Sequence, residues 1–542
     1  MPTFTGTSGD DTIQGTSSAD MIDGLAGNDT LRGGGGADTI HGGEGEDLLV
    51  GNMQNDHLDG GDGNDLLVPL GGADFVDGGD GQDSIVFEGV FPNQGVSFDL
   101  RLQGQAQAVG FYGTKTVVNV EHVFGSRFSD VIHGDDDLNV LSAGGSLSQP
   151  QVGDDQLFGH GGDDIFQLTA GNHYIDGGDG ADSISTSFTT ADMGAFSIDL
   201  NIAGAQNTGQ GMMTFVSIAN LIGGRYDDRL EGDGSDNKLA GAYGNDILIG
   251  GAGNDRLSGD GGLVLGADRL FTTSFDGVGN GNDFLDGGAG DDELYGGGGS
   301  DTASYASASG AVTVSLYDGG FGEAFGAAGY DQLHDIENLA GSAFDDGLYG
   351  NGLDNIVSGG DGHDDVRGGG GNDEIHAGAG DDLLYGNGGD DLLDGGAGID
   401  RAGYYSGATA GVTVDLNLQG IAQNTGQGMD TLVGIENVSG TVFADTLIGD
   451  GADNFLWGSP STVSPGNVAT TNDDTLSGGG GSDLLIAGIG DHVVDGGSGT
   501  DTFRFNENGN PETGIVVSLL LQGTVQASGN GAWSLTGIEN LS

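Results

Sequence analysis

From Gly6 to Val86 a single aliphatic side chain returns every ninth residue: Ile13, Ile22, Leu31, Ile40, Leu49, Leu58, Leu67, Val76 and Ile85. Each is flanked by variable residues in an x-aliphatic-x triplet, and six Gly- and Asp-rich residues separate one triplet from the next. The triplet predicts a minimal β-strand whose middle side chain points one way and whose neighbours point the other. The six-residue half is turn chemistry, because Gly permits positive φ and Asp or Asn supports tight turns. One such strand buries almost nothing, but stacked copies bury a column of Ile and Leu at roughly 1.5–3 kcal/mol per side chain. Two turns and two strands close one coil. The structural period is therefore 18 residues, with coils about 4.8 Å apart.

The sixth position of every unit in this stretch is Asp. Asp11, Asp29, Asp47, Asp65 and Asp83 then form one column and Asp20, Asp38, Asp56 and Asp74 the other. Carboxylates at strand spacing repel unless something positive lies between them, and 12 Lys plus Arg cannot serve 83 Asp plus Glu. Calcium can, since it accepts carboxylate and carbonyl oxygens in flexible geometry. The unit GGDGNDLLV (Gly60–Val68) resembles the G-G-x-G-x-D-x-U-x nonapeptide of the RTX, or hemolysin-type, calcium-binding proteins.

That resemblance implies an all-β fold, a parallel β-roll solenoid, with several Ca²⁺ ions between same-side turns. In the first array it implies ligands from Asp11, Asp29, Asp47, Asp65 and Asp83, with Gly45, Gly63 and Gly81 at the fourth position, and from Asp38 and Asp74 opposite. The first column keeps its fourth-position Gly throughout, whereas Ser18, Gln54 and Pro69 interrupt the second. Calcium is therefore expected to favour the first column and to leave gaps in the second, above all around Asp20 and Asp56.

Between arrays a second motif recurs, clearest in GVTVDLNLQGIAQNTGQGMDTLVGIENVSG (Gly411–Gly440). It opens with period-2 alternation, the signature of a half-buried strand, and closes on variants of G-I-E-N-L at Val120, Ser217, Asp335, Gly434 and Gly537. These segments are expected to be coils or hairpins continuing or covering the roll; a ligand-binding face for polysaccharide is the alternative. Five copies define five composite modules, 1–124, 125–222, 223–340, 341–439 and 440–542. The chain stops where a sixth array would begin, as expected of a fragment of a longer protein or of one ending by repeat arithmetic.

The later arrays open with Phe128, Tyr226, Phe344 or Phe443 at the fourth position, followed by Asn139, Asn237, Asn355 or Asn454 in place of Asp. An aromatic there is expected to block metal approach, so these coils cap each calcium stack. Expected ligands beyond them are Asp164 and Asp182 in array two; Asp246, Asp255, Asp283, Asp292 and Asp301 in array three; and Asp474, Asp483 and Asp501 in array five. Array four contributes Asp364, Asp373, Asp382, Asp391 and Asp400 with Gly362, Gly371, Gly380, Gly389 and Gly398. His173 and His492 replace Asp in arrays two and five. Imidazole suits zinc or copper better than calcium, and the favoured reading is a degenerate, calcium-free turn. The insertions near 143–152, 259–278 and 459–471 are expected to be surface loops.

The chain has 542 residues, 117 Gly, no Cys and a formal charge of −71. Such charge with 35% hydrophobic residues places the metal-free chain near the disordered class, so that folding and calcium binding become one event. Nucleic acid and anionic membranes are poor partners for this surface. The absence of Cys excludes disulfides and thiol metal sites. No run is long enough to span a bilayer, and the N-terminus lacks a cleavable signal pattern. Only Lys115 and Lys238 exist and neither lies in a phosphate-loop motif; no G-x-S-x-G or H-E-x-x-H occurs. Paired acids are already explained by the turns. The sequence therefore predicts a non-enzymatic, structural or adhesive calcium-binding protein. The resemblance adds secretion, by type I export from a Gram-negative bacterium, although the usual C-terminal export signal is not evident after Gly537. The alternative is the calcium-binding tail of a secreted protease, lipase or epimerase.

Overall fold

The computed structural model describes residues 1–87, 94–144, 153–186, 194–265, 271–274, 279–458, 472–488, 490–505, 519–528 and 531–542. The chain divides into two compact units, one comprising Met1–Leu285 with Tyr295–Gly299, the other Asp286–Leu294 with Ser300–Ser542. Both are built from short parallel strands, and no α-helix occurs among the described residues.

In the first unit the 18-residue register holds strand by strand. Met21–Ala26 pairs with Thr39–Glu44, placing Ile22 opposite Ile40, and Thr39–Glu44 pairs with His57–Asp62, placing Ile40 opposite Leu58. On the other face Leu31, Leu49, Leu67 and Ile85 are successive partners. All of these side chains are fully buried. The aliphatic column read from the sequence is thus the core, which fills the space between two parallel sheets. Ile13, in the outermost coil of its column, is only partly covered.

The inter-array segments are connecting coils. Ser97–Asp99 starts a new sheet by pairing with Val131–His133, while Thr114–Val118 extends the old one by pairing with Ala73–Asp80. Ala106–Ala108 folds back antiparallel on Thr114–Val118 and ends that sheet. The opposite face runs on without interruption, Ser84–Val86 to His122–Phe124 to Val140–Ser142. The second unit repeats the plan with Met429–Val433 pairing Leu392–Ala397 and Gln423–Asn424 folding back on it.

The G-I-E-N-L motif joins these coils. Glu121 Oε2 accepts the Asp83 N–H at 2.7 Å, and Glu337, Glu436 and Glu539 do the same for Asp301, Asp400 and Asp501. Glutamate here takes the acceptor role that Asp holds in the arrays. Of the loops expected near 143–152 and 459–471, residues 145–152 and 459–471 lie outside the described residues. In the insertion near 259–278, expected as a loop, Gly262–Leu265 and Phe271–Ser274 pair antiparallel.

Candidate metal centre

Within each column the two carboxylate oxygens have separate fates. Oδ1 accepts the backbone N–H of the aspartate 18 residues earlier: Asp11 to Asp29 and Asp29 to Asp47 at 2.7 Å, Asp47 to Asp65 and Asp65 to Asp83 at 2.8 Å. Asp364 to Asp382 at 2.8 Å, and Asp373 to Asp391 and Asp382 to Asp400 at 2.9 Å, repeat the chain in array four. The remaining predicted aspartates join similar ladders. Asp255 accepts from Asn237 and Asp283 from Asp246, both at 2.7 Å, and Asp292 donates to Asp331 at 3.0 Å.

Oδ2 is what the ladder leaves over. It is buried without a proton donor in Asp29, Asp47, Asp83, Asp164, Asp182 and Asp246 of the first unit. The same holds in Asp364, Asp373, Asp382, Asp391, Asp400, Asp483 and Asp501 of the second. A buried polar atom without a partner ordinarily costs about 1–3 kcal/mol, more when charged. Two carboxylates about 4.8 Å apart add roughly 3–4 kcal/mol of repulsion at an effective dielectric constant of 20. Burial, reinforced by neighbouring carboxylates, pushes Asp83, Asp164 and Asp246 up to about 8, and Asp364 and Asp373 up to about 7. Such a column holds protons or holds metal.

The residue at position 2 of the turn decides which aspartates are left open. Before each of these orphaned oxygens it lies in left-handed backbone, even where it is not Gly: Leu25 (φ 80°), His160 (82°), Ala242 (79°) and Asn387 (68°). In that conformation it joins the parallel ladder, Leu25 opposite Gly43 and Gly43 opposite Gly61, so its N–H is not spent on its own carboxylate. Placing an L-residue there costs about 1–3 kcal/mol, strain of a kind that collects at functional sites. The fourth-position residues carry the same signature. Gly45 and Gly63 have φ of 133° and 130°, and a Cβ on either would strike the fourth-position carbonyl of the preceding same-side turn. Gly81, Gly362, Gly371, Gly380, Gly389 and Gly398 share it. Only Gly lets these fourth-position backbones stack so closely.

Other turns are closed. Position 2 donates its N–H to its own Oδ2 from Thr7 to Asp11 and Thr16 to Asp20 at 2.5 Å, Asn52 to Asp56 at 2.7 Å, and Ser126 to Asp130 at 2.6 Å. Gly224 to Asp228, Ser342 to Asp346 and Thr441 to Asp445 behave alike, and none of the seven donors is left-handed. The starting coils therefore leave no carboxylate oxygen open, and the expected aromatic block is not the reason. The Tyr226 and Phe344 rings are solvent-exposed, and the position-2 N–H quenches the carboxylate instead. Asn139, Asn237, Asn355 and Asn454 complete the cap by donating Nδ2 to the carbonyls of Glu121, Ala219, Glu337 and Glu436.

Three of the expected ligands already have a proton donor at Oδ2. Asp11 is closed by Thr7. Asp38 Oδ2 accepts from Asn52 Nδ2 at 2.7 Å, and Asp74 Oδ2 is paired with the buried ammonium of Lys115. Ser or Thr two places after the preceding strand was the readable signal for Asp11. No local signal marks the other two. At the histidine turns, His173 Nδ1 accepts the Asp155 N–H at 3.1 Å while Nε2 donates to the Thr169 carbonyl at 3.0 Å. With its proton on Nε2 the ring offers none to Asp155 Oδ2, 3.0 Å from Nδ1. His492 repeats the arrangement with Asp474 and Gly488. Imidazole thus takes the acceptor role of Oδ1.

A model of the RTX calcium-binding nonapeptide repeat matches residues 5–40, 32–67, 70–88, 120–146, 152–186, 220–242, 232–262, 278–303, 367–402, 430–460 and 468–503. The chain belongs to the RTX calcium-binding repeat family. Its open aspartates fit the ion: hard oxygens in excess, stacked carbonyls beside them, and no proton donors to compete. No curated protein matches the chain. No helix of the described residues is long and apolar enough to cross a membrane.

Proposed function

We propose that this RTX chain is an extracellular scaffold, structural or adhesive in role, that travels unfolded and folds when calcium reaches the open turns. The observation that carries this reading is the set of buried Oδ2 atoms without donors, each on a turn held in left-handed backbone. Without a divalent ion the formal charge of −71 keeps the chain expanded; with one, ordering and neutralisation occur together. Extracellular calcium modules bind at about 10⁻⁴–10⁻³ M, an affinity that leaves the chain open inside a cell and folded outside it. RTX repeats are typical of secreted proteins of Gram-negative bacteria, which supports export as the route. The paired acids are accounted for as turn residues, which favours a scaffold over a catalyst.

The test is far-UV circular dichroism in chelator and during calcium addition. A coil spectrum that turns to β-structure with calcium is expected. A chain already β-structured in chelator at neutral pH would refute the reading.

A further inference from the structure

Two turns on the second edge of the first array break the rule that left-handed turns are open. Position 2 is left-handed before Asp38 (Gly34, φ 92°) and before Asp74 (Leu70, φ 56°), yet in both turns Oδ2 has a proton donor from elsewhere in the chain. The two donors make matching contacts. Asn52 Nδ2 reaches Asp38 Oδ2 at 2.7 Å and the carbonyl of Gly36 at 2.8 Å. Lys115 Nζ reaches Asp74 Oδ2 and the carbonyl of Gly72 at 3.4 Å. Gly36 and Gly72 are the fourth residues of those turns, and Asp38 and Asp74 the sixth. Each donor therefore bridges the fourth-position carbonyl and the sixth-position carboxylate of its turn, the same oxygen whose counterpart is left without a donor in the open turns.

We infer that Asn52 and Lys115 are built-in replacements for calcium, and that they make the second edge of the first array metal-free. The inference rests on the calcium reading of the open turns. Its own support is the chemistry of the two donors. Lys115 is fully buried, and its ammonium is held by the Asp74 carboxylate and the carbonyls of Gly72 and Tyr112. It is a compact point charge that brings only donors, as a bound cation brings only acceptance of oxygen lone pairs. The orientation of the Asn52 amide follows from its other end, where Oδ1 accepts the Gln54 N–H at 2.7 Å. The same residue closes the next turn through its backbone N–H to Asp56. With Thr16 closing Asp20, every aspartate of this edge is satisfied by the protein, while Asp29, Asp47 and Asp83 on the opposite edge are not. The first array accordingly has one edge that waits for calcium and one that is complete without it.

The experiment counts calcium ions on the full chain, wild type and Lys115→Ala, by calorimetric titration, with thermal unfolding at the lowest calcium that folds the chain and in saturating calcium. The variant is expected to bind one ion more than wild type, to lose stability at low calcium, and to recover it in saturating calcium. Equal ion counts with the same loss in both buffers would overturn the inference. Should the variant not fold, a calcium-loaded crystal of the wild type decides through its anomalous map. Peaks beside Asp29–Asp47 and none at Asp38 or Asp74 support the inference. Peaks on both edges, with Lys115 displaced, overturn it alone. Peaks on neither edge overturn the calcium reading and the inference with it.

Discussion

Replacing Asp47 and Asp56 by asparagine, one at a time, separates a calcium ligand from a hydrogen-bonded turn residue at the same position of the repeat. Asp47 Oδ1 accepts the Asp29 N–H at 2.7 Å and its Oδ2 is buried without a donor. In Asp47→Asn the amide oxygen keeps the first interaction, and a neutral amide nitrogen takes the place of the charged orphan. At the lowest calcium that folds the chain the change is neutral or stabilising, since it removes one side of a carboxylate repulsion worth roughly 3–4 kcal/mol at an effective dielectric constant of 20. In calcium it removes a ligand, and the loss grows by about 1.4 kcal/mol for each tenfold rise above Kd. Asp56 differs because both its oxygens are engaged, Oδ1 by the Asp38 N–H at 2.8 Å and Oδ2 by the Asn52 N–H at 2.7 Å. An amide there points a donor at a donor whichever way it is turned, costing about 1–3 kcal/mol regardless of calcium. Urea unfolding of both variants across a calcium series reads the difference. A cost for Asp56→Asn that climbs with calcium, or one for Asp47→Asn that does not, would refute the reasoning.

Acid should partly substitute for metal. Asp83, Asp164 and Asp246 at about 8 and Asp364 and Asp373 at about 7 are raised above their unfolded values, mainly by burial. Their contribution to the metal-free roll is therefore complete below about pH 4 and lost as pH rises through about 7 to 8. Circular dichroism in chelator should show β-structure growing on acidification through that window, and calcium affinity should fall over the same range. Leu25→Gly removes a left-handed Leu and should stabilise the calcium-loaded protein by about 1 kcal/mol in thermal unfolding. Leu49→Ala, in the fully buried column between Leu31 and Leu67, should cost about 2–5 kcal/mol in the same assay, at low and at saturating calcium alike.

The stack itself was legible because its signal is local and periodic. One aliphatic every nine residues predicts the Ile22–Ile40–Leu58 and Leu31–Leu49–Leu67 columns, and the strands pair in that register. The expectation that calcium favours the first Asp column rests on the loss of fourth-position Gly opposite; the side chains that satisfy the second column were not legible. Asp38 and Asp74 sit in turns that look competent, and what engages them arrives from outside the unit: Asn52, 14 residues on, and Lys115, 41 residues on. A nonapeptide pattern scores each unit alone and cannot see a donor from another coil. The acceptor role of Glu121, Glu337, Glu436 and Glu539 was hidden for the same reason, since their partners lie 36 or 38 residues earlier. Position 2 lay between these cases. Ser or Thr there, as in Thr7, Thr16, Ser126, Ser342 and Thr441, marks a closed turn in plain sequence. It draws attention only once the fate of Oδ2 is known.

The most direct test of the account is the location of metal in a calcium-saturated crystal, read ion by ion from the anomalous signal. Ions are predicted beside the open aspartates, including Asp29, Asp47, Asp83, Asp164, Asp246, Asp373 and Asp483, whose Oδ2 atoms have no donor. None is predicted at the closed turns of Asp20, Asp56, Asp130, Asp228, Asp346 and Asp445, where the position-2 N–H is already bound. Calcium distributed over both classes alike would contradict it.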